Sequence, residues 1–257
     1  MPLHYLIAPL NQVQVMQKTF SESTEIAVYF HHTSLFLIGA VALAAAGHIV
    51  VHALSYLFDI ANTPFVGVFK FFSMGQEANF PTYISALNLL LAAGLCLLVS
   101  RHDVPQKKRM SRYWVGLSVG LLLMSIDEAA QIHEGIIGVL LENYLGRGTG
   151  VLYYRWYLAY IPLVIVIGCS YLPFLKRLPL RYSSRLCLAG LVFLGGAIGV
   201  EMLESVLVYA GINTAISILF EETFEMLGIV IFIDTVLLYL SELDFRIKLN
   251  FSNKKYG

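Results

Sequence analysis

Charge is the first thing this sequence lacks. Charged residues make up 13% of its 257 positions, where a water-soluble domain carries about a quarter. The 17 basic and 17 acidic residues cancel, so no basic surface is left to recruit nucleic acid. Cysteine is scarce too. Cys96, Cys169 and Cys187 fall in separate apolar runs, which excludes a disulfide framework or a zinc cluster and reads as buried apolar filler. The start, MPLHYLIAPLNQVQVMQ, lacks the basic n-region, compact apolar core and small-residue cleavage site of a signal peptide. Lysine is missing from every long apolar run, which excludes a retinal Schiff base. No G-x-S-x-G elbow points to a serine hydrolase. Low-complexity tracts and soluble domains are lacking as well.

Hydrophobicity is what is there. Hydrophobic residues make up 58% of the chain and mean hydropathy is +0.71. Apolar runs long enough to cross ~30 Å of hydrocarbon recur throughout. Six spans are expected, at 34–57, 82–100, 113–139, 153–175, 186–210 and 217–240. Pro81 suits the first turn of the second span, Pro162 should kink the fourth, and Gly195, Gly196 and Gly199 suit close helix contact in the fifth. The fold class is therefore all-α, a polytopic membrane bundle. Residues 1–33 form an N-terminal cytoplasmic or interfacial segment, 34–240 one transmembrane domain and 241–257 a cytoplasmic tail. Within the first segment, Leu6, Leu10, Val13, Met16 and Phe20 repeat at near-helical spacing, as in a helix lying in the interface. Residues 62–75 are too apolar for a free loop and too short to cross, so a surface helix or re-entrant piece is expected there.

Orientation follows from the basic residues. Arg101, Lys107, Lys108, Arg109 and Arg112 cluster in one loop, and Lys176, Arg177, Arg181 and Arg185 in another. Arg246, Lys248, Lys254 and Lys255 follow the last span, while the opposite loops hold only Lys70 and Arg147. Both termini are expected to be cytoplasmic.

The stretch LLLMSIDEAAQIHEGIIGVLL then poses a question, because it sets Asp127, Glu128, His133 and Glu134 inside an apolar run. His48 and His52 in the first span, Glu201 and Glu204 in the fifth, and Glu221, Glu222 and Glu225 in the sixth fall at similar depth, toward the outer face. An acid at the bilayer centre costs about 2.5–3.5 kcal/mol on insertion scales. Against eight acids the embedded cations are Arg155 and whichever histidines protonate, so protons, metal ions or water must supply the balance. Asp234 lies deeper, on the opposite face of the sixth span from Glu221, and stands outside this group.

The first reading of the group is a metal site in the outer half of the bilayer, with iron, manganese or zinc held by these carboxylates and histidines. It would serve a metal-dependent oxidoreductase acting on a lipophilic substrate, or a hydrolase. The absence of an E-x-x-H pair departs from the usual di-iron pattern. The alternative is a proton- or cation-coupled transporter or channel; a further alternative is a non-catalytic membrane assembly factor. Partners are membrane lipids and a lipophilic small molecule or a cation. The succession GQEANFPT, SIDEAAQIHEG and FEETFEMLG resembles an uncharacterised family of bacterial multi-pass membrane proteins. That resemblance covers the second to sixth spans and implies a bacterial plasma or internal membrane and this domain outline, but no reaction.

Overall fold

A computed structural model gives the fold. It describes the backbone of residues 8–102 and 108–243, and side chains over 32–101 and 110–243. The helices are α1 (Ala8–Phe58), α2 (Val66–Phe72), α3 (Phe80–His102), α4 (Lys108–Ala130), α5 (Val139–Leu145), α6 (Tyr157–Leu175), α7 (Leu180–Leu194), α8 (Glu201–Tyr209) and α9 (Ala215–Glu242). The described residues contain no strand. Six stretches are long and apolar enough to cross a membrane: 32–58, 80–101, 110–130, 157–175, 180–209 and 215–242. The fold is the all-α, six-span bundle expected.

Several details differ from the sequence reading. The first helix runs unbroken from Ala8 to Phe58, so the 8–20 stretch continues the first span as one helix. The third span ends early, because Gln131 takes a left-handed conformation (φ 54°) that stops α4 after Ala130. A wider π-type turn then carries Ile132–Gly138 into α5. A second π-type turn, Gly195–Val200, joins α7 to α8 within the fifth span. The apolar 62–75 stretch contains the short surface helix α2. The basic tail after 243 and residues 103–107 lie outside the described residues.

Packing places α9 at the centre. Half of its most apolar stretch is buried, against 6% for α6. Met226, Ile229, Val230, Ile233, Val236 and Leu240 of α9 meet Leu37, Val41 and Ala44 of α1 and Leu89, Ala93 and Cys96 of α3 in one core. Glycines bring α9 close to α7 and to the π-type turn that follows it. A Cβ on Gly228 would come 2.7 Å from the Phe193 backbone, and one on Gly196 2.6 Å from the Glu221 carbonyl. Gly195 and Gly199 face open space, so Gly196 alone of that glycine group makes the expected close contact. Cys96 is buried as expected. Cys169 and Cys187 are exposed on the helix surface, unlike the buried fillers expected.

The six spans define two ends. One carries the connections 59–79, 131–156 and 210–214, and is called here the strap end for the 59–79 segment. The other carries the 176–179 connection and the ends of α3 and α9.

Candidate acid site at the strap end

The histidines of α1 come first, because their ring nitrogens bond to groups other than the acids. His48 is buried to 1% exposure. Its Nδ1 accepts the Met74 backbone N–H at 2.9 Å, which fixes the ring proton on Nε2, and Nε2 donates to the Ala215 carbonyl at 2.9 Å. Both nitrogens are therefore engaged with backbone from two other elements. His52 stacks against His48, ring centroids 4.2 Å apart, and its Nε2 meets Ser73 Oγ at 3.1 Å. Among the described residues no acid is hydrogen-bonded to either ring. His48 and His52 together tie down residues 73 and 74.

His133 behaves differently. On a straight helix it would sit about 100° from Glu134. The left-handed Gln131 and the π-type turn fold it back instead, so that Asp127 accepts both its backbone N–H (2.8 Å) and its Nδ1 (3.1 Å). Its Nε2 lies 4.0 Å from Glu134. One imidazole thus stands between two carboxylates, held by a local break in a helix. Such π-type insertions recur at functional sites.

Glu201 and Glu204 leave the second π-type turn on the first turn of α8 and are both buried. Trp156 donates its indole N–H to Glu201 at 2.8 Å. Tyr154 donates to Glu204 at 3.2 Å, and Ser217 of α9 stands 3.3 Å from the other Glu204 oxygen. Glu221 also faces Glu204, while Ser85 of α3 faces Glu128. Glu222 and Glu225 make no hydrogen bond among the described residues. Between them, the buried Thr223 hydroxyl is also without a partner among those residues.

Glu134 ties the group together electrostatically. Its charge acts on Glu77, Glu128, Glu201 and Glu204, and on Glu221, Glu222 and Glu225. The acids of α4, α8 and α9 therefore share one region, as the sequence suggested. Arg155 does not serve them. It turns outward and donates to the carbonyls of Gly146 (2.8 Å) and Arg147 (3.1 Å), closing the end of α5. Among the described residues no lysine or arginine is paired with any acid of the cluster. Nor do three or more His, Cys, Asp or Glu side chains close on a point that could hold a metal ion there.

Several participants lie outside the candidate ligands named from the sequence. Glu77, in the strap, keeps an exposed surface at the mouth of the group. Partial desolvation, with the charges of Glu134 and Glu128, raises it to about 7, against the opposing pull of His133. Trp156, Tyr154, Tyr157, Ser205 and Ser217 supply hydroxyls and an indole around the acids. The aromatic run at 153–157 was the available signal, but aromatic residues at a span entry also suit the headgroup layer.

The opposite end is held by different chemistry. Asp234, set apart in the sequence reading, accepts from Ser34 of α1 and from Arg185 of α7, each at 2.7 Å. Nearby, Glu242 accepts from Arg181 at 2.7 Å and from the Tyr182 hydroxyl. Between these ties and the acids lies the apolar layer of α1 and α9.

The fold and site together define a multi-pass helical protein with the composition of an integral membrane protein and acids gathered at one end. Residues 34–240 match the family model described as a domain of unknown function, DUF8692, and the chain belongs to that family. Comparison with curated proteins and with solved structures gives no match.

Proposed function

We propose that the acid cluster exchanges protons or small cations with the aqueous phase at the strap end, and that the protein is a proton- or cation-coupled transporter. The observation that carries this reading is the gathering of carboxylates from α4, α8 and α9, with no lysine or arginine among the described residues paired to them. Two like charges about 4 Å apart repel by roughly 4 kcal/mol at an effective dielectric of 20. Mobile positive charge must therefore neutralise the group. The apolar layer and the Asp234 ties close the other end, as a carrier loaded from one side requires.

Divalent metal is the second reading, for which His133, with Asp127 at its Nδ1 and Glu134 4.0 Å from its Nε2, supplies the donor types but not a closed set of three. It retains a metal-dependent membrane enzyme acting on a lipophilic substrate. Thermal melting with and without chelator, on the wild type and on Glu225→Gln, separates the two. Under the proton reading, glutamine mimics the neutral carboxyl. The variant then melts higher than the wild type, chelator changes neither, and proton-driven uptake by proteoliposomes is lost. A wild type that melts lower with chelator, with bound metal lost in Glu225→Gln, selects the metal reading, because binding and folding are then coupled.

A further inference from the structure

Residues 59–79 connect α1 to α3 across the acid end, and their construction is unlike that of a passive loop. At each end a non-glycine residue takes the left-handed conformation, Asp59 at φ 52° and Ala78 at φ 56°. Such residues are uncommon and strained unless their surroundings hold them. Between these points the segment is tied to α1. His48 accepts the Met74 N–H, His52 bonds Ser73, and the Phe69 ring meets His52 at 5.0 Å. The far edge of His48 holds the Ala215 carbonyl at the start of α9. One buried imidazole therefore joins the segment, α1 and α9, a task that needs an acceptor and a donor on opposite edges of one ring.

The segment also lies against the acids. Gly75 packs on Ile218 of α9, where an added Cβ would come 2.9 Å from the Ile218 side chain. Glu77 is within electrostatic reach of Glu128 and Glu134 and of Glu222. Asn79 closes the far end, donating to the Ser73 carbonyl at 2.7 Å while its oxygen receives the Thr82 N–H of α3.

We propose that residues 59–79 form a hinged strap over the acid cluster and that His48 is its latch. The hinges are Asp59 and Ala78. Release of the Met74 and Ala215 bonds lets the strap swing from α9 and admits water and cations to the acids. What the strap guards rests on the reading of the cluster given above; that it is latched by His48 does not.

Hydrogen exchange read by mass spectrometry on the full-length protein in lipid nanodiscs tests the latch. In His48→Phe, which keeps a ring but removes both bonds, amides of 59–79 should exchange roughly tenfold faster. Those of α3 and α4 should keep the wild-type rate. His48→Gln, which retains an acceptor and a donor, should restore part of the protection. Ser73→Ala, which cuts only the tie to His52, should give a smaller rise in the same segment, and it decides the matter if His48→Phe fails to fold. A water-soluble carbodiimide should also modify the cluster carboxyls faster in His48→Phe. Unchanged exchange in the strap overturns the latch, and so does a rise spread equally through α1, α3 and α9, which marks a packing residue. Equal carbodiimide rates overturn the strap's guarding role. A cluster that binds neither protons nor cations, beside a strap that opens as expected, overturns only the transport reading.

Discussion

Glu77 is the acid whose neighbours are most open to a titration experiment. Its carboxyl is raised to about 7 by desolvation and by Glu134 and Glu128, so between about pH 4.5 and 7 the folded protein holds a proton that the unfolded chain has released. Stability contributed by that proton is present at low pH and declines as pH rises through the window. Glu77→Gln removes the group that titrates. Its melting temperature relative to the wild type should therefore be higher at pH 7.5 than at pH 5, with the exposed surface of Glu77 keeping the gain modest. An equal difference at both pH values would show that the neighbouring acids do not reach it. At this scale the sequence told which acids sit at one depth, because helical rise converts residue number into position. It could not tell which nitrogens were free. The partners of His48 are a backbone amide 26 residues away and a carbonyl 167 residues away, and backbone groups carry no residue signature. Arg155 was misjudged for the same reason, its acceptors being main-chain carbonyls.

Between residue and molecule, the helices show why the spans were legible and their interruptions were not. Hydropathy over about 20 residues fixes a span, and the six observed spans overlie the expected ones. A π-type turn adds a single residue to the helical repeat and leaves the apolar content unchanged, so neither 132–138 nor 195–200 was visible. Yet these turns aim His133 at Asp127 and deliver Glu201 and Glu204 into the interior. The glycines were partly legible. Gly196 was singled out with its neighbours, whereas Gly228 sits alone among branched residues and revealed itself only where α9 meets the backbone of Phe193. Gly228→Ala should lower stability by about 1–3 kcal/mol, because a backbone neighbour cannot swing aside as a side chain does. Gly199→Ala, facing open space, should change it little. Thermal unfolding in one detergent compares the pair, and equal losses would mean that the α7–α9 crossing tolerates an added methyl.

For the whole molecule the two ends differ in kind among the described residues, with clustered acids that no lysine or arginine pairs at one and arginine–carboxylate pairs at the other. Orientation in the membrane decides which compartment meets the acids. The basic residues at 101–112, 176–185 and beyond 241 argue that the strap end faces outward. A cysteine at position 147 should then react with an impermeant thiol reagent on intact cells, and one at position 107 should not, in a background with Cys96, Cys169 and Cys187 replaced. The reverse pattern would turn the acid end toward the cytoplasm. The tie between Arg185 and Asp234 carries a consequence for the order in which the chain is made. An acid as deep as Asp234 is costly to leave alone in lipid, and α9 follows the other five spans in the chain. Its basic partner is on α7, in the span delivered immediately before, with the Ser34 hydroxyl of the first span waiting longer still. The final helix therefore never has to wait in the bilayer for its counter-charge; its dock is complete before it arrives.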